Sequence, residues 1–98
     1  MKILNLEGQE ILKLDLGTLE AGQSKEYSYV VYNDTFAHVV ELEISTTNEE
    51  VKVINVPDSL SPQQKATFNI VWKSSIDVKK ALETILKIQA KELYKPKN

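Results

Sequence analysis

The chain has 98 residues, enough for one domain with a modest core and too few for two. Hydrophobic residues make up 42% and charged residues 27%, the balance of a folded chain rather than a disordered one, and the absence of cysteine excludes disulfides and thiolate metal sites. The formal charge is −2, from 14 acids against 12 Lys with no Arg, which argues against a dedicated nucleic-acid binder because the planar guanidinium fork is missing.

The N-terminal "MKILNLEGQE" carries a single Lys and too short an apolar run for a signal peptide or a membrane span. "KILNL" and "EILKLDL" read as strands joined by "EGQ", where Gly8 supplies the positive φ of a tight turn. Residues 1–11 supply either an N-terminal strand or an arm toward a neighbour. "LGTLEAGQS" is a connection with Gly17 and Gly22 as flexible points, and "KEYSYVVYN" is the next strand, ending at the turn "NDTF". "AHVVELEIS" alternates, with Val40, Leu42 and Ile44 on one face and Val39, Glu41 and Glu43 on the other. "EVKVINV" runs to Pro57, "PDSLSPQQ" is a turn-rich connection, and "KATFNIVWK" places Ala66, Phe68, Ile70 and Trp72 on one face.

The last segment, "DVKKALETILKIQAKELY", has helix-favouring residue types, yet a helical stripe through Leu82, Ile85, Leu86 and Leu93 is interrupted by Gln89. Period two is better sustained from 82 to 91, so a strand is expected over 79–94, with a basic, solvated tail at 95–98. The result is one domain over 1–98, an all-β antiparallel sandwich of about seven short strands.

An internal echo supports this reading. Shifted by 41 positions, "LEAGQSKEYSYVV" overlays "LSPQQKATFNIVW", matching Tyr27 with Phe68, Tyr29 with Ile70 and Val31 with Trp72. Each half is a Leu anchor, a polar turn and an alternating strand. The echo directs Tyr27, Tyr29 and Val31 into the core, and a one-residue slip would expose the whole set.

Leu14, Asp15, Leu16 and Gly17, then Gly22 and Gln23, then Tyr29, Val31 and Asn33 follow a hydrophobic–Asp–hydrophobic–Gly opening, a Gly-Gln turn and a strand ending in Asn. A second turn has Leu60 and Pro62, with Gln63 where Gly is usual. Over roughly residues 12–94 this pattern resembles immunoglobulin-like domains of the ASH (abnormal spindle and hydin) and major sperm protein group and their bacterial and phage relatives. The resemblance implies an immunoglobulin-like sandwich and a non-enzymatic scaffold or docking role. The basic peptide-binding surface of the major sperm protein adaptors is not recognisable in these residues.

No catalytic residue, cofactor site or metal site is expected, and the chain does not read as an enzyme. His38 is the one histidine and opens a strand without a second ligand or a nucleophile of matching motif. Glu41 and Glu43 share a solvent face, and Glu49–Glu50 lacks the alternating ligands of a calcium loop. Trp72 falls on the core face by the echo register, which disfavours a sugar platform. Asn33-Asp34-Thr35 is formally a glycosylation sequon and reads as a hairpin turn.

If Tyr27, Tyr29 and Val31 fill the core, Val30 and Tyr32 stand on the outer face. Val39 is expected beside them across the hairpin, and Val71 and Ile85 outward on their own strands. Val30, Tyr32 and Val39 are therefore the candidate partner-binding residues, because a contiguous apolar patch marks an interaction site and Tyr is enriched at interfaces. The expected function is a structural or assembly protein, a phage or viral virion accessory such as a capsid decoration, head or tail protein. It would dock on a protein partner through a sheet face or strand edge. A homo-oligomer is one form of this, and no nucleic-acid or membrane partner is expected. The expected location is the virion or the host cytoplasm. The alternative is a cellular adaptor binding a protein or peptide; a carbohydrate-binding module is a third reading and would need exposed aromatics beyond Tyr32.

Overall fold

The computed structural model describes residues 1–19, 22–46, 50–73, 80–84 and 86–93. These residues form nine strands and no helix: β1 (Lys2–Leu4), β2 (Leu14–Leu19), β3 (Ser24–Tyr32), β4 (His38–Thr46), β5 (Val51–Ile54), β6 (Ser59–Leu60), β7 (Lys65–Lys73), β8 (Lys80–Thr84) and β9 (Leu86–Leu93). One layer is a four-stranded antiparallel sheet in the order β1-β3-β7-β5. The other is the three-stranded β6-β4-β9, and β2 and β8 form a separate antiparallel pair whose Leu14 and Leu16 reach the same core.

The order β1-β3-β7-β5 is the A-B-E-D sheet of an immunoglobulin-type sandwich, with β4 and β9 in the places of strands C and F. The fold is thus an all-β, immunoglobulin-like sandwich. It has more strands than the seven expected, because "PDSLSPQQ" holds the two-residue β6 and the final segment divides into β8 and β9. Its strand character agrees with the period-two reading. "EILKLDL" joins β2 only from Leu14; Glu10 forms an isolated bridge to Leu4.

β3 and β7 carry the architecture. Each has nine residues without Gly or Pro, and they pair in one unbroken register, Tyr27 opposite Ile70 and Tyr29 opposite Phe68. The two echoed segments are therefore direct neighbours facing the same core. Phe68, Ile70, Trp72 and Val31 are fully buried, and Tyr27 and Tyr29 pack against them. Tyr29 meets the Phe68 ring with centroids 6.3 Å apart. From the other layer Leu14 and Leu16 of β2, Val39, Leu42 and Ile44 of β4, and Leu60 of β6 complete the cluster, with Ile3 of β1 and Val51 of β5.

Two irregularities reset the side-chain phase. In β2 the pairing with β8 shifts between Asp15 and Thr18, and Gly17 sits there at φ +74°. In β4 the pairing with β9 shifts between Val40 and Glu43, and Glu41 adopts φ +53°. This bulge inserts one residue, so Val39, Leu42 and Ile44 all point inward.

The placement of Val39 on an outer face is therefore incorrect: it is 0% exposed. The segment after β3 is also not a hairpin turn. β3 and β4 lie in different sheets, and residues 33–37 form an arch between the layers.

Candidate interaction surface

The outer face of β3 is partly covered by its own sheet. Val30 is half-buried between its register partners Leu4 and Thr67. Tyr32 stands between Lys2 and Lys65, with the Lys65 ammonium 5.1 Å from its ring centroid. Its hydroxyl donates to Gln63 Oε1 at 2.7 Å, and Gln63 Nε2 donates to the Thr35 carbonyl at 3.0 Å. Val30 and Tyr32 share this face; Val39, in the opposite layer, does not join them. Val71 is half-buried between Glu26 and Lys52, and Ile85 lies outside the described residues.

The arch is organised by Asn33, which is 0% exposed. Its Nδ2 donates to the carbonyls of Ala37 at 2.8 Å and Ser61 at 3.0 Å, while its Oδ1 accepts from the Thr35 amide and hydroxyl. The Asn33 amide donates to the Gln64 carbonyl at 2.9 Å. A glycan cannot be carried on the buried, doubly donating Asn33 Nδ2 in the folded state. Gln63, where the sequence pattern led to an expectation of Gly, has φ +63°. At the tip of the arch Phe36 is 89% exposed.

Trp72 is a core residue, and its indole N–H donates to Glu50 Oε2 at 3.3 Å. This agrees with the core placement read from the sequence and gives Glu50 a structural partner. His38 opens β4 and is exposed. Beside the β4 bulge, Glu41, Glu43, Asp58, Gln89 and Lys91 line an open cleft of about 520 Å³. Lys91 Nζ and Glu41 Oε2 pair there at 3.0 Å, both well exposed.

The edge of the second layer is different. Among the described residues β9 pairs on one side only, with β4, and stands last in the order β6-β4-β9. β2 covers the preceding strand, its register beginning at Leu14–Thr84. From Leu86 onward no strand among the described residues pairs with the side of β9 that faces away from β4.

Alongside lies a groove of about 190 Å³ lined by Met1, Ile3, Ile11, Leu12, Leu86 and Ile88 together with Lys2 and Glu10, whose charged groups pair at 3.7 Å. Leu12 is 81% exposed at its rim. Sequence reading missed this site because its walls come from opposite ends of the chain. The available signal was the adjacent apolar pair in "EILKLDL", where Ile11 and Leu12 cannot both be inside a single strand.

In comparison with known proteins, no family model, no curated protein and no solved structure matches this chain. The fold and surface define its class: an immunoglobulin-like sandwich in which, among the described residues, one side of β9 is unpaired beside a groove of mixed polar and aliphatic lining.

Proposed function

We propose that the chain is a non-enzymatic structural and docking protein, an accessory of a phage or viral particle that attaches to a repeating protein surface. The observation that carries this reading is the β9 edge, which among the described residues pairs only with β4, beside a groove that mixes aliphatic walls with the Lys2–Glu10 pair. An unpaired edge supplies directional hydrogen bonds and the groove supplies apolar area, the two ingredients of strand-mediated docking. Support for the virion setting comes from the resemblance carried by Leu14–Gly17, Gly22–Gln23 and Asn33 to domains with phage relatives. A cellular adaptor that takes a peptide by strand addition would use the same edge.

The genes beside this one separate the two settings: capsid, portal or tail genes favour the particle, and a membrane or cytoskeletal partner gene favours the adaptor. The direct experiment sediments the purified chain with particles of the phage or virus whose genes adjoin it. Saturable co-sedimentation is expected. A clean monomer that stays in the supernatant overturns the virion role.

A further inference from the structure

We propose that residues 38–40 of β4 slide by one position along β6 and β9, so that Val40 replaces Val39 in the core and the bulge at Glu41 disappears. This two-state strand goes beyond the docking reading and does not depend on it.

A one-residue slip ordinarily carries every apolar side chain of a strand to the wrong face. Here the slip is confined to the residues before the bulge, and the two that trade places are both Val. In the resting register Val39 stands opposite Leu60 of β6 and Glu92 of β9 and is fully buried, whereas Val40 is half-buried.

After the bulge both neighbours of β4 already follow the slipped phase. Ile44 opposite Ile88 and Glu43 opposite Gln89 continue, without an extra residue, to Leu42 opposite Ala90, Glu41 opposite Lys91 and Val40 opposite Glu92. On the other side the Leu42 amide donates to the Asp58 carbonyl at 3.1 Å, and continuing that pairing sets Val40 opposite Leu60. Val thus meets Leu60 and Glu92 in either register, and Glu41 comes directly across from Lys91, its existing partner at 3.0 Å. The slipped strand is also the unbroken alternation Val40, Leu42, Ile44 that the sequence carries.

Two effects oppose each other. Glu41 holds φ +53°, a conformation that suits Gly at such a bulge, and the slip returns it to extended backbone. Against this, the slip adds one residue to the arch and draws Ala37 from its buried place, where its carbonyl accepts from Asn33 Nδ2 at 2.8 Å. The bulged register is the resting state and the slipped one a minor state. The slide moves the chain about 3.3 Å, and it joins the cleft of Glu41, Asp58 and Lys91 to the arch that carries the exposed Phe36.

The full chain has no Cys, so introduced pairs report the register by disulfide formation. Val39→Cys with Leu60→Cys should oxidise rapidly, since these residues face each other at rest. Val40→Cys with Leu60→Cys should oxidise more slowly, because only the slipped register brings them together. His38→Cys with Leu60→Cys is joined by neither register and measures cross-linking through unfolding; it should be at least about tenfold slower than the Val40 pair. Adding Glu41→Gly should slow the Val40 pair about fivefold by favouring the bulge. Glu41→Thr should speed it about twofold or more, because a β-branched residue resists positive φ. Once the Val40 pair is cross-linked, the Thr35 amide, which donates to Asn33 Oδ1, should exchange roughly tenfold faster than in the cross-linked Val39 pair.

Equal rates for the Val40 and His38 pairs would overturn the slide, as would a Val40 rate indifferent to both Glu41 variants. Unchanged exchange at Thr35 would overturn the link to the arch. Should Leu60→Cys unfold the chain, the cysteine-free variants decide by methyl relaxation dispersion. Val39 and Val40 should show microsecond-to-millisecond exchange in Glu41→Thr that Glu41→Gly suppresses, and flat profiles in both refute the slide.

Discussion

Asn33 shows how one side chain joins two layers. It is fully buried where the chain leaves β3, and it satisfies carbonyls of both the arch and the loop before β7. Asn33→Ala leaves those acceptors and the Thr35 amide without this partner, which should cost about 2–4 kcal/mol, read as a lower urea midpoint at unchanged slope. The neighbouring Asp34 accepts a hydrogen bond from the Met1 α-amino group at 2.7 Å, and this bond holds its carboxyl below the usual value of 3.8. A carboxyl lowered in the folded state stabilises above its unfolded pKa and loses that contribution as pH falls through the folded value. The stability difference between the native chain and Asp34→Asn should therefore be full near neutrality and shrink below 3.8. A difference independent of pH in denaturation series would refute that role for the pair.

Strands tell a similar story through their bulges. Gly17 in β2 and Glu41 in β4 both have positive φ, but only one is a residue suited to it. A Cβ on Gly17 would meet nothing within 4 Å, so Gly17→Ala should cost about 1–2 kcal/mol through backbone strain alone. Glu41→Gly should act in the opposite direction. It relieves strain of about 1 kcal/mol and gives up only the exposed pair with Lys91, so a gain of up to about 1 kcal/mol is expected. Thermal or urea unfolding of both variants checks the pair of signs, and a destabilised Glu41→Gly would show that the bulge relies on the carboxylate. The bulge also sets which face of β4 is apolar, so it indirectly decides what surface is left for partners.

At the scale of the molecule, the competing docking surfaces lie in different layers. Tyr32 sits on the β1-β3-β7-β5 sheet, tied to Gln63 and capped by Lys65; the open edge and groove belong to β9 and the N-terminal segment. Tyr32→Asp should lower stability by about 1–2 kcal/mol through the lost hydrogen bond and ring contact, yet leave particle co-sedimentation unchanged. A variant that stays folded and no longer docks would move the interaction to the outer face of β3.

Alternation along single strands was enough to establish the all-β class, the inward set Tyr27, Tyr29, Val31, Phe68, Ile70 and Trp72, and the strand character of β8 and β9. Those features are local: a period of two in side chains reports directly which residues share a face. Three decisions were left to the tertiary structure. A bulge at Glu41 brought Val39 inside, since one inserted residue reverses the phase without altering residue types. The segment after Asn33 crossed between layers instead of closing a hairpin, because its polar side chains satisfy the backbone of an arch as readily as that of a turn. The groove came from residues near positions 1–12 and 86–88, a juxtaposition that only the pairing order of the sheets creates.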